Sequence, residues 1–207
     1  MEARWAQLLA RLGSPPRDAP ATLYWCLEAL YSHPPRVYHS LAHIDACLDV
    51  FDGVRSSAEA PDAVEFALWL HDCVYDPRRQ DNEVRSAQVA EMLLGVVQAP
   101  SGLAHCVRGL ILATRHDGSA ATDDERLLAD IDLSILGAAA AEYDRYAQQI
   151  REEHAFADDA AYGAGRSAFL DGALRRPRIF ATDLLRAKLE EAARTNLRRE
   201  RGALGGL

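Results

Sequence analysis

Lysine is all but absent: Lys188 is the single one in 207 residues, and the 23 basic side chains, otherwise arginine, face 31 Asp and Glu for a net charge of −8. An acidic surface without lysine clusters lacks the positive footprint that grips duplex nucleic acid or anionic lipid, so neither is expected as a partner. Long apolar runs are also missing. The apolar run Phe66 to Leu70 is far short of the roughly 20 residues needed to span a bilayer. Cys26, Cys47, Cys73 and Cys106 show no C-x-x-C spacing, which argues against a disulfide framework or a zinc knuckle. Met1 to Leu12 has no basic segment followed by an apolar run, so a cytoplasmic location with reduced thiols is expected. No Glu-x-x-His pair occurs, which disfavours a di-iron carboxylate bundle.

What is present is a globular balance of 49% hydrophobic and 26% charged residues, rich in alanine and modest in Val, Ile and Thr. Alanine loses no side-chain entropy on going helical, so the expected fold class is all-α, a single-domain helical bundle of about eight to ten helices. Residues 1–20 read as a leader helix and linker broken at Gly13 to Pro20, and 21–207 as the helical domain. Helices are predicted over Ala21 to Tyr31, Tyr38 to Phe51, Glu59 or Asp62 to Tyr75, Asn82 to Val97 and Leu103 to Arg115. The loops are Asp76 to Asp81, Pro100 to Gly102 and Asp117 to Thr122. Asp123 begins a helix stopping at Gly137, followed by helices over Ala139 to Phe156, Asp159 to Leu174 and Asp183 to Glu200.

Three stretches carry chemistry. In Tyr38-His39-Ser40-Leu41-Ala42-His43 the two histidines, four apart, share one face of the predicted helix. Leu41, Ile44, Leu48 and Phe51 form its main apolar stripe, and the histidines fall opposite with Ala42, Ala46 and Val50. A helix apolar nearly all round is buried, so its imidazoles need partners or a ligand. In Ala63 to Tyr75 the only charged groups are Glu65 and Asp72, the latter directly after His71. In Leu127 to Gly137, Asp130 and Asp132 sit among Leu and Ile, about 200° apart on a regular helix, so both cannot reach one ion directly. A helix cap or an arginine partner is the competing explanation for each aspartate, and a satisfied core imidazole for each histidine.

One His, a His-Asp doublet and a later Asp on separate apolar helices suit a divalent metal in a bundle core. The order His39, His71-Asp72, Asp130 resembles the HD superfamily of metal-dependent phosphohydrolases, and the details resemble a small bacterial branch of it predicted to be phosphohydrolases. The supporting runs are Pro35-x-Arg-x-Tyr-His-x-x-x-His-Ile44, Trp69-Leu-His-Asp-x-x-Tyr-Asp76, Asn82-Glu-x-x-Ser-Ala87, Asp130-Ile-Asp-Leu-Ser-Ile-Leu-Gly137 and Tyr146-x-x-x-Ile-Arg151, together covering about residues 21–200.

The resemblance implies a metal site in the bundle core with His39, His71, Asp72 and Asp130 as ligands, Asp132 being the alternative to Asp130. It implies one divalent ion (Mn, Fe, Co, Ni, Zn or Mg), with a second ion left open, and a small phosphorylated substrate such as a phosphoester or nucleotide hydrolysed by metal-activated water. Asp72 would orient the water, and His43 or Glu83 would handle a proton. His43 and His116 are further candidates for a second ion or for protonating the leaving group. Arg36, Arg79 and Arg151, with His116, would contact the substrate, a guanidinium binding phosphate oxygens bidentately. Some nucleotide-hydrolysing relatives place a glutamate three residues after the motif aspartate; Tyr75 stands there, so their nucleoside-monophosphatase activity is not carried over. The alternative function is a catalytically weak HD-like module that binds metal or nucleotide and acts through a partner, for which the arginine-rich last helix would offer a surface. A homo-oligomer is compatible with either.

Overall fold

The computed structural model describes residues 1–204. The alanine-rich composition resolves into ten α-helices with no strand among the described residues: α1 (Glu2–Leu12), α2 (Ala19–Tyr31), α3 (Leu41–Asp52), α4 (Pro61–Leu70), α5 (Asn82–Val96), α6 (Ser101–Ala113), α7 (Asp123–Asp132), α8 (Ala140–Glu153), α9 (Asp159–Arg175) and α10 (Asp183–Leu204). Short 3-10 turns cover Arg55–Ser57 and Leu133–Gly137. No described helix is long and apolar enough to cross a membrane. The chain forms two compact units, Met1–Ala129 and Asp130–Leu207, so the division falls far from the expected one at residue 20.

In the first unit α4 is the hub. All of its residues from Ala63 to Leu70 are buried, and it packs against α1, α3, α5 and α6. The N-terminal helix is no leader. Its Trp5 stacks on Phe66 of α4 at 5.7 Å between ring centroids and meets Trp69 edge-on at 5.3 Å, while Leu8 and Leu9 are fully buried. The Gly13 break that suggested a linker is a tight docking point on the end of α5. A Cβ at Gly13 would stand 2.1 Å from the Val97 carbonyl oxygen, and that oxygen accepts the Ser14 N–H at 2.7 Å.

Glu65 is the charge this hub must accommodate. At 2% side-chain exposure its carboxylate receives Arg4 Nε at 2.7 Å, Arg11 at 2.8 Å and Arg55 at 2.5 Å. Arg4 also binds Asp52, and Arg11 and Arg55 share Asp62. A buried carboxylate is tolerated only when such donors replace its lost hydration. The network thereby ties α1 and the 55–57 turn to α4.

In the second unit α10 lies along the 133–137 turn and α9. Gly137 permits the close approach, since a Cβ there would stand 2.6 Å from Leu189 Cβ. Arg166, nearly buried, forms a two-pronged pair with Glu200 at 2.7 and 3.0 Å and donates to the Tyr146 hydroxyl at 3.3 Å. Tyr143 donates to the same Glu200 carboxylate.

Because Trp5 is part of the α4 core, Trp5→Ala is expected to destabilise the protein by about 3–5 kcal/mol, the usual range for deleting a buried large aromatic, measured by denaturant unfolding. A disposable leader would show almost no change.

Candidate metal centre

A helix buried on every side ends in carbonyls that cannot reach water, and the C-terminus of α4 answers this with side chains. The Tyr31 hydroxyl donates to the Trp69 carbonyl at 2.9 Å, and His71 Nδ1 lies 2.9 Å from the Leu68 carbonyl oxygen. A carbonyl can only accept, so His71 carries its proton on Nδ1 and presents the Nε2 lone pair on its other side. The helix therefore stops at Leu70 rather than continuing to Tyr75, and His71-Asp72 forms the turn out of it.

That Nε2 lies 3.2 Å from Nε2 of His43 and 3.3 Å from Oδ2 of Asp72, and His43 Nε2 lies 3.7 Å from the same oxygen. With metal–ligand bonds near 2.1 Å, adjacent ligand atoms stand about 3.0 Å apart in an octahedral shell and about 3.4 Å in a tetrahedral one. Two of the observed separations, 3.2 and 3.3 Å, fall between these values, and the third, 3.7 Å, is somewhat longer than the tetrahedral one. His43, His71 and Asp72 thus form a group that could hold a metal ion. Both imidazoles are buried, whereas Asp72 retains 17% side-chain exposure. The sulfur of Cys47, one turn along α3, packs 3.7 Å from the ring nitrogens of His43.

The expected pairing of His39 and His43 on one helix face does not form. Ser40 is extended (φ −118°, ψ 178°) and α3 starts at Leu41 rather than Tyr38, which leaves His39 in the preceding turn. Its ring stacks on Tyr75 at 4.0 Å and lies 6.0 Å from the His43 ring, so the histidine in the ligand group is His43 and not His39. Asp130 is likewise engaged elsewhere. One of its oxygens accepts Ala181 N–H at 2.7 Å, the other accepts Thr182 N–H at 2.7 Å and the Thr182 hydroxyl at 2.6 Å, which caps the approach to α10. Asp132 ends α7 in the second unit, where its charge adds to burial in holding the Tyr146 hydroxyl protonated.

The expected phosphate-binding arginines have other partners. Arg36 donates to the backbone carbonyls of His39, Asp72 and Cys73. Arg79 makes an exposed two-pronged pair with Asp81 at 2.7 Å. Arg151 closes the α8–α9 connection by donating to the His154 and Ala157 carbonyls and to Asp159. Glu83, in the first turn of α5, lies 3.9 Å from Arg115. His116 follows α6 with a left-handed backbone (φ 53°). Nothing local in the sequence marks Tyr31 or Cys47 as neighbours of the site.

Comparison with known protein families, curated proteins and solved structures finds no match. Fold and site therefore define the class by themselves: a protein all-helical over its described residues, with two buried imidazoles and a half-buried carboxylate that could hold a metal ion.

Burial against this turn pushes the Cys73 thiol up to about 12, from an ordinary value near 9. Because only the thiolate reacts, Cys73 is expected to resist thiol reagents in the native protein up to about pH 10 and to react on unfolding, whereas exposed Cys26 labels at once. Mass spectrometry of the labelled peptides reads this directly.

Proposed function

We propose that the protein is a metal-dependent phosphohydrolase acting on a small phosphorylated substrate, with His43, His71 and Asp72 holding one divalent ion. The observation that carries the proposal is the convergence of two imidazole nitrogens and one carboxylate oxygen within 3.7 Å of one another at the end of a fully buried helix. The N/O donor set suits Mn, Fe, Co, Ni or Zn, and Mg less well. Such an ion lowers the pKa of water and stabilises charge on phosphoryl oxygens.

The chain's own residues divide the remaining work. His71, its Nδ1–H held by the Leu68 carbonyl, keeps a fixed tautomer and aim. Asp72 faces the solvent side of the group and orients the attacking water. We assign proton delivery to the leaving group to His39, on the strength of its ring lying next to His43. His39 and His43 thereby exchange the roles expected from the motif. Asp130 accepts three hydrogen bonds at the start of α10 and is occupied there. Arg79, on an exposed loop, is paired with Asp81, and Arg151, in the last turn of α8, is paired with Asp159, which leaves the ion, His39 and His116 as the groups proposed to meet phosphate.

Two tests follow. Protein loaded with Mn²⁺, Co²⁺ or Fe²⁺ should turn over at least one member of a phosphoester and nucleotide panel, and Asp72→Ala should abolish that turnover; metal binding with no turnover would favour the binding-module alternative. Asp130→Ala should cost about 1–3 kcal/mol by stranding the donors at 181 and 182 while metal stoichiometry stays unchanged, read by calorimetry and elemental analysis; loss of bound metal would contradict this.

A further inference from the structure

Arg36 lies outside the ligand group yet holds both chain segments that supply it. One terminal nitrogen of its guanidinium donates to the carbonyls of His39 and Asp72, each at 2.8 Å, and the other donates to the carbonyl of Cys73 at 3.0 Å. The rings of Tyr31 and Tyr75 lie 5.0 and 5.5 Å from its central carbon. These partners are backbone dipoles and aromatic faces, with no carboxylate among them, so the cation serves geometry more than charge pairing.

We infer that Arg36 is a positioning residue that sets the separation of His43 from Asp72 by locking the turn before α3 onto the turn after α4. The inference rests on the metal-centre reading above. The held carbonyl of His39 is two residues ahead of α3, whose first turn carries His43, and the held carbonyl of Asp72 belongs to the ligand residue itself. A planar guanidinium fixes the directions of its N–H bonds, so three acceptors on two segments are registered by one rigid group. An ammonium has a single nitrogen and cannot reproduce that fork. The same contacts bring Tyr75, and with it the stacked ring of His39, against the guanidinium. This role differs from the phosphate contact that the motif suggested for Arg36, and it makes a different demand: an effect on the bound ion with no substrate present.

The experiment titrates metal-stripped full-length protein with Co²⁺, following heat and the visible absorption bands, for wild type, Arg36→Met, Arg36→Lys and His71→Ala. Loss of an outer partner of a metal ligand ordinarily weakens binding about 10- to 100-fold. Arg36→Met is expected in that range with displaced bands, and Arg36→Lys, which keeps the charge, is expected to be weakened about 10-fold as well. Arg4→Ala, which breaks an ion pair of the Glu65 network away from the group, should bind Co²⁺ like wild type and controls for general loosening. Wild-type affinity and bands in the Arg36 variants, with binding lost in His71→Ala, would overturn the positioning role and leave the metal centre standing. Should Arg36→Met fail to fold, Arg36→Lys decides by itself. Unchanged binding in His71→Ala would overturn the metal-centre reading and this inference with it.

Discussion

The burial of α4 on all sides is the constraint from which the rest of the first unit follows. A helix in that position gains a large apolar contact area, but its last carbonyls and its one carboxylate lose water and must be matched inside the protein. Each unmatched group would cost about 1–3 kcal/mol, a substantial part of the stability of an ordinary domain. The matching groups are specific: Tyr31 for Trp69, His71 for Leu68, and Arg4, Arg11 and Arg55 for Glu65. The candidate centre is a by-product of that requirement. Once the Leu68 carbonyl has taken the Nδ1–H of His71, the neutral imidazole presents its Nε2 lone pair toward His43 and Asp72.

The same constraint explains why the basic residues are arginine. Arg4 bridges Asp52 and Glu65, Arg11 bridges Asp62 and Glu65, and Arg55 repeats the second bridge, so every member of the network spans two carboxylates with one planar fork. Arg36 spans three carbonyls and Arg194 another three, those of Leu174, Arg176 and Pro177. A lysine in any of these places would supply charge without the second nitrogen. The scarcity of lysine therefore bears on internal construction more than on the surface, and the arginines beside the motif segments are largely occupied in holding backbone and carboxylates together.

Helix class and most helix positions were legible because they rest on local signals: alanine content, apolar periodicity, and Gly, Pro and acidic residues at the breaks. The His71-Asp72 doublet was legible for a similar reason, since two polar groups in an apolar run have few uses. Three features were not. The first helix looked detached because the Gly13 to Pro20 segment has the composition of a linker, and nothing local reveals that Trp5 reaches Phe66 and Trp69 across some sixty residues. The shared face of His39 and His43 assumed unbroken helix through Ser40, and one extended residue removes that i, i+4 geometry. The capping role of Asp130 depends on residues 181 and 182, about fifty positions downstream, whose amides it accepts. In the first and third cases the partner is remote in sequence.

This bears on how ligand sets should be read from motif spacing. Spacing fixes which side chains share a face only while the backbone between them is regular; across a turn, tertiary locks decide. In this chain the turn before α3 is held by Arg36 and the turn after α4 by His71, Tyr31 and Arg36 again, so the distance from His43 to Asp72 is set by side-chain to carbonyl bonds and not by helical repeat. If the group holds an ion, a small change in such a lock would shift a ligand atom while every helix stays intact. Metal affinity would then be more sensitive to these outer contacts than global stability, because the apolar faces of α1, α3, α5 and α6 would still close over α4.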